Sequence, residues 1–396
     1  MRITHQISEK VSFRGFPAVF REKKGTLTGA PPQKGRARST FRRDFGTGGS
    51  FLQKTKRHPA LRLALAVLGA ALLLLPTARA AQPPGETRYV VPVGSAVGIK
   101  LFSDGVLVVG FTDVATAGGS ANPARQAGLK EGDVITRLDG RAVSTIEEVQ
   151  DILQEEGART VDLRVRRDGE ERDLTIRAVQ CAADGAWKLG AWIRDSMAGI
   201  GTLTFVDPET GLFGTLGHGV NDVDTAVLLE LQSGAITPAS VAGVVKGEDG
   251  RPGELRGAFP GEEDLGTLFA NTEQGVFGYL TDKAGLTGTP VPVASPDQVH
   301  PGPATILANV SGTQVEEYDV EILKVFDHPA DARDLMLKVT DKALLEKTGG
   351  IVQGMSGSPI LQDGRLAGAV THVLIDHADR GYGILATHMI ERAEAG

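Results

Sequence analysis

The chain has 396 residues, with 42 Lys and Arg against 49 Asp and Glu, a formal net charge of −7. Domains of about 100–200 residues make this two or three domains. A composition of 41% hydrophobic and 23% charged residues is that of a globular protein and excludes a disordered chain or a polytopic membrane protein. The acidic balance disfavours generalised nucleic-acid binding. The single cysteine, Cys181, excludes an internal disulfide and a Cys-based zinc site. The 51 Gly and 20 Pro, with 5% aromatics, favour a turn-rich β body over a helical bundle.

Residues 1–60 are basic and contain few apolar runs, so no fold is expected there. An almost uncharged apolar run follows, from Leu61 through Leu72-Leu73-Leu74-Leu75-Pro76. At about 15 residues it is short for a spanning helix, which needs about 20. It has the form of a signal-peptide core, flanked by Lys54, Lys56 and Arg57, and Ala78-Arg79-Ala80 has the small-x-small form of a cleavage site. Residues 61–80 are therefore expected to export the chain, either cleaved or kept as an N-terminal membrane anchor with its basic flank inside.

Residues 90–180 carry a small β-rich pattern. Val97–Leu101 and Val106–Val109 predict two strands split by Ser103-Asp104-Gly105. Asn122 to Gly128 predicts a short helix, and Leu138-Asp139-Gly140-Arg141 a hairpin turn. Ser144 with Glu147 predicts a capping box for a helix whose buried face is Ile146, Val149, Ile152 and Leu153. Two half-buried strands, Val161/Leu163/Val165 and Leu174/Ile176, flank an Arg167-Asp168-Gly169 turn. The run Pro123-Ala124-x-x-Ala127-Gly128-Leu129-x-x-Gly132-Asp133-Val134-Ile135 resembles a protease-associated PDZ domain. That resemblance implies a site where a peptide C-terminus adds as a strand and loop amides hold its carboxylate. The matching loop is expected at Ser95, Ala96, Val97, Gly98 and Ile99.

Residues 187–393 read as many short strands separated by Gly, Pro or Asp, the pattern of a barrel or sandwich. Gly199–Val206 and Leu212–Leu216 flank a turn at 207–211. His218 follows between two glycines, in Leu216-Gly217-His218-Gly219. Near the C-terminus Gly354-Met355-Ser356-Gly357-Ser358-Pro359 has the Gly-x-Ser-Gly-x-Pro shape of trypsin-like serine peptidases. The serine hydroxyl has to protrude into a cleft, while the Gly354 and Ser356 amides point at a developing oxyanion. Serine needs a base at neutral pH, and histidine is the usual one. His218 precedes Ser356, in the trypsin-like chain order. His372, on an expected strand, is the rival; His300 and His328 sit beside prolines in loop-like runs, which does not exclude them, and His377 and His388 look peripheral.

Together the blocks Val106–Gly110, Ile193-Arg194-Asp195-Ser196-Met197-Ala198-Gly199-Ile200-Gly201-Thr202, Leu216-Gly217-His218, Thr348–Ile360, Gly368–Val373 and Gly381-Tyr382-Gly383 resemble the SpoIVB sporulation peptidase family. The resemblance implies a mainly β chain, a PDZ domain at 90–180 followed by a β-rich trypsin-like serine peptidase domain at 187–393. It implies a self-cleaving serine endopeptidase in the space between mother cell and forespore. There it cuts a regulator in a membrane protease complex and so triggers processing of a late sigma factor. The PDZ domain would bind a peptide C-terminus or the chain itself. His218 would be the base, Ser356 the nucleophile and Asp341, in Thr340-Asp341-Lys342-Ala343-Leu344-Leu345, the acid. From the residues alone, Asp222 and Asp224 compete with Asp341 as the group that orients His218, and Asp341 equally fits a helix N-cap. No metal and no cofactor is implied. The competing readings are a non-catalytic PDZ signalling scaffold and a general envelope serine protease; in the latter the peptidase normally precedes the PDZ module.

Overall fold

The computed structural model describes residues 19–20, 87–261, 263–283, 287–327 and 333–395. The apolar segment 61–80, expected to export the chain, and the basic extension, apart from Val19–Phe20, lie outside the described residues. Val19–Phe20 pairs in parallel with Val373–Leu374, a departure from the expectation of no fold in the extension.

In chain order the next elements are β1 (Ala96–Phe111), β2 (Val134–Leu138), α1 (Ile146–Glu156), β3 (Thr160–Arg167), β4 (Glu170–Arg177) and β5 (Ala191–Val206). The hairpin turns follow from Asp-Gly pairs. Asp139-Gly140 and Asp168-Gly169 all take positive φ, as a type I′ turn requires. The capping box of α1 forms one residue later than expected. Thr145 accepts from Glu148 N–H, and the Glu148 carboxylate accepts from Thr145 N–H.

β1 and β5 are 16 residues each and serve two bodies. Their outer halves pair over Leu107–Phe111 and Ala191–Arg194. With β2–β4 and α1 they enclose a core that includes Val106, Ile135, Leu138, Val149, Ile152 and Leu163. Their inner halves pair over Ala96–Phe102 and Ser196–Thr202. These join β6 (Leu212–Thr215), β7 (Leu231–Pro238), β8 (Gly266–Thr272) and β9 (Gly275–Leu280). The order β5-β6-β9-β8-β7-β1 returns to β5 and closes a first barrel around Val97, Ile99, Leu203, Phe213 and Ile236.

The PDZ-type module is thus inserted into the first barrel, where the sequence pattern placed it ahead of the peptidase body. The turn expected at Ser103-Asp104-Gly105 does not break β1. The strand runs through because β5 pairs with it on both sides of that segment, and Gly105 absorbs the irregularity at φ +104°.

A second barrel uses β10 (Gly302–Ser311), β11 (Gln314–Val325), β12 (Leu335–Val339), β13 (Pro359–Gln362), β14 (Arg365–Leu374) and β15 (His377–Leu385), closed by β14–β15 pairing. On β11, Tyr318, Val320 and Ile322 point inward between exposed Glu317, Asp319 and Glu321, the period-2 pattern of a half-buried strand. α2 (Lys342–Thr348) precedes β13, and α3 (Ala386–Ala395) closes the chain. Phe205, Phe277, Ala369, Ile384 and Met389 form a shared core between the two barrels and α3. The fold is mainly β, as expected.

Candidate active site

The first barrel supplies the histidine. β6 ends at Thr215, and Leu216 and Gly217 turn the chain at φ +68° and +71°. His218 follows, 6% exposed. Its Nδ1 lies 2.8 Å from the Gly219 carbonyl, so Nδ1 carries the hydrogen and Nε2 is left as an acceptor. Nε2 is buried without a partner. Burial holds the imidazole below its usual pKa, against a smaller upward pull from that carbonyl.

The loop is clamped from both ends. Asn271 accepts from Val220 N–H at 2.9 Å and donates to Val220 and Leu229 carbonyls at 3.0 and 2.8 Å. Asp222 is fully buried, takes the amides of Asp224 and Thr225, and is ion-paired to Arg194. Asp224 pairs with the same guanidinium at 2.9 Å. Both carboxylates therefore hold the loop to β5, and neither orients the imidazole.

The second barrel supplies the serine. Thr202 of β5 reaches across to its loop. Thr202 Oγ1 donates to the Gly354 carbonyl at 2.9 Å, and Thr202 N–H to the Ser356 carbonyl at 3.0 Å. Gly357 sits at φ +95°, where a Cβ would lie 2.2 Å from the Thr202 oxygen and 2.6 Å from the Leu216 nitrogen. Only glycine permits this approach, and it places the serine turn against the turn that carries His218. The Ser356 hydroxyl donates to the Thr371 carbonyl at 2.9 Å. Among the described residues the Gly354 and Ser356 amides donate to no backbone carbonyl. His372, next to Thr371, places its ring centroid 5.2 Å from that of His218.

Asp341 is not brought to this centre. It N-caps α2, and its carboxylate accepts from Leu344 N–H at 2.9 Å. Its charge falls on Tyr318, whose hydroxyl is pushed up first by burial, then by Glu316, with Asp341 contributing last. The physical reason is local: an Asp ahead of a helix satisfies an orphan amide there. His300 pairs with Asp363 at the surface, 3.0 Å away, and His388 with Asp334 at 2.8 Å; His328 lies outside the described residues. Among the described residues no cluster of three or more His, Cys, Asp or Glu could hold a metal ion. Cys181 is a buried free thiol.

Ser95–Ile99 is also not what the sequence pattern predicted. Val97, Gly98 and Ile99 pair with β5 on one side and β7 on the other, and the Ser95 carbonyl accepts from Leu203 N–H. With both edges taken, no peptide strand can add there. The open cavity of the module, about 890 Å³, instead lies between α1 and the start of β5. Ile146, Val149 and Leu153 line one wall, and Leu189, Gly190 and Trp192 the other. Gly190, at φ +78°, turns the chain into β5, and its carbonyl is held by Thr112 N–H and the Asn122 side chain. Leu189-Gly190-Ala191 was the overlooked signal, a Gly turn followed by an apolar strand start. Arg194, Thr202 and Thr371 lay within blocks already noted, but nothing in the sequence marked Asn271.

A histidine from one closed barrel, a serine turn from the next and an inserted peptide-binding type of module define the class: a trypsin-like serine peptidase body carrying a PDZ domain. The SpoIVB peptidase S55 profile matches residues 185–390, just over half of the chain, and a PDZ domain profile matches 114–167. The chain belongs to the SpoIVB peptidase S55 family and, with it, to the serine peptidases. Similar curated proteins cover less. Zinc metalloprotease RasP of Oceanobacillus iheyensis is 29% identical over 112 residues, 28% of this chain and 25% of that protein. Magnetosome formation protease MamE of Paramagnetospirillum magneticum is 38% identical over 100 residues, 25% and 12% of the two chains. Serine protease HTRA1 of Xenopus tropicalis is 39% identical over 54 residues, 14% and 12%. The chain thus spans a quarter or less of the length of these relatives. Among solved structures, the Rv3671c protease of M. tuberculosis in its active form is 16% identical, covering 50% of this chain and 74% of that one at a TM-score of 0.26. The PDZ domain of an SdrC-like protein from Listeria monocytogenes is 23% identical, covering 23% and 87% at a TM-score of 0.19.

Proposed function

We propose that the chain is an exported serine endopeptidase in which His218 and Ser356 are base and nucleophile. The observation that carries the reading is the meeting of two turns. His218 presents an unpartnered, buried Nε2, and the Ser356 turn, packed against it through Gly357, keeps two amides without backbone acceptors. Rotation of the Ser356 hydroxyl from the Thr371 carbonyl to His218 Nε2 puts the proton on the path to the base. The oxygen then attacks a peptide carbonyl, the Gly354 and Ser356 amides take the oxyanion, His218 returns the proton to the leaving amine, and water resolves the acyl-enzyme.

Membership of the family supports a finer reading: self-cleavage, and cleavage of a regulator in a membrane protease complex during sporulation, in the space outside the cytoplasmic membrane. Residues 61–80 would deliver the chain there. The cavity between α1 and β5 would receive a peptide C-terminus, from this chain or a partner, as a strand beside β5.

A gel time course of the purified full chain tests the core of this. The wild type is expected to trim itself while Ser356→Ala and His218→Ala stay intact. Identical trimming in all three would reject the catalytic reading and leave the scaffold.

A further inference from the structure

His218 has a second imidazole for a neighbour. The rings of His218 and His372 lie 5.2 Å apart by their centroids, with planes inclined at 42°. His372 Nδ1 is buried and without a hydrogen-bond partner, like His218 Nε2. β14 fixes the ring from behind: His372 pairs with Tyr382 of β15 and sits between Thr371 and Val373, which are 1% and 3% exposed. Thr371 is also the residue whose carbonyl accepts the Ser356 hydroxyl. One strand therefore presents consecutive groups to nucleophile and base.

The base needs help when it takes the serine proton, because an imidazolium then forms in a buried site. A carboxylate usually supplies it. Here Asp222 and Asp224 are held by Arg194, and Asp341 caps α2. We propose that His372 is a positioning residue for His218, a neutral second imidazole that fixes the plane of the base and faces its charged form. This rests on the reading of His218 and Ser356 as base and nucleophile. His372 makes and breaks no bond. The proton passes from Ser356 to His218 and on to the leaving group.

His372 can stay neutral throughout. Burial first, then a protonated His218, then Arg333 from the segment before β12, pull its pKa down to about 3. Tyr382 is its register partner on the paired strand, and the Arg333 guanidinium lies 5.5 Å from the Tyr382 ring centroid.

The test needs no known substrate. A fluorophosphonate labels an activated serine: the oxygen attacks phosphorus, fluoride leaves, and the base takes the proton. The labelling rate of the full chain is followed against pH for wild type, His372→Phe and His372→Gln, with Ser356→Ala alongside. His372→Phe keeps a ring and removes both nitrogens. It is expected to slow labelling by about tenfold or more and to move the acid limb to lower pH, because the His218 imidazolium loses a stabilising neighbour. His372→Gln, with a polar end restored, is expected to recover part of the rate. If His372→Phe lowers the melting temperature, the position of the limb in His372→Gln, between wild type and Phe, decides. An unmoved limb in both variants, or wild-type rates in His372→Phe, overturns the proposal. If the wild type is not labelled, or Ser356→Ala is labelled equally, the catalytic reading itself has failed, and the two failures are thereby distinguished.

Discussion

His218→Ala is expected to lower peptide-bond cleavage by roughly 10,000-fold or more, since it removes an imidazole with a buried, unpartnered Nε2 from the turn packed against the serine turn. The wild-type pH profile should carry the signature of the same residue. The base works in its neutral form. Burial lowers the pKa of His218 below its usual value, so the neutral form persists as the pH falls. The acid limb of kcat/KM is therefore expected below about 6.5, the ordinary histidine value. A limb at or above that value would mean that the base carries a stabilised positive charge, as beside a carboxylate, and that the assignment of Asp222, Asp224 and Asp341 to other tasks is wrong.

Gly357→Ala is the second large effect. The added methyl would sit 2.2 Å from the Thr202 carbonyl oxygen at a backbone φ of +95°. Overpacking against backbone and a disfavoured φ together cost on the order of 3 kcal/mol or more. The serine turn then has to move away from the His218 turn. A displacement of about 1 Å between nucleophile and base costs roughly 100-fold in rate. The variant should lose several degrees of melting temperature and nearly all activity. Gly364→Ala is the control. It has φ +72° but open space around its Cβ, so a loss of about 1 kcal/mol with full activity is expected. Equal behaviour of the two variants would show that the packing of Gly357 against β5 does not align the site.

Much of this site was legible because its chemistry is written locally. Gly354-Met355-Ser356-Gly357 is a run in which the glycines are demanded by the turn itself. Asp139-Gly140 and Asp168-Gly169 were readable as hairpins for the same reason, and all take the positive φ values such turns need. Ser95–Ile99 failed because its fate is set by partners far away in sequence. Val97 and Ile99 alternate as any half-buried strand does, and only the pairing with Gly199–Gly201 and Ile236–Pro238 makes them barrel staves. The insertion of the PDZ module was hidden because Ser103-Asp104-Gly105 looks like a turn, and only the pairing of β1 with β5 on both sides of it carries the strand through both bodies. Asp341 was ambiguous in sequence, since an acid before Lys342-Ala343-Leu344 serves a cap as well as a triad, and the Leu344 amide takes it. Asn271, which fixes the histidine loop by three hydrogen bonds, left no trace, because an asparagine at the end of a strand has no pattern of its own.

The central claim is that Ser356 is a nucleophile activated by His218. Its most direct test is the site of covalent labelling: the full chain is treated with a fluorophosphonate, digested, and the modified peptide sequenced by mass spectrometry. The predicted result is one adduct, on Ser356, greatly slowed in His218→Ala and absent after denaturation. An adduct on another residue, or labelling at Ser356 that His218→Ala leaves unchanged, would contradict the account.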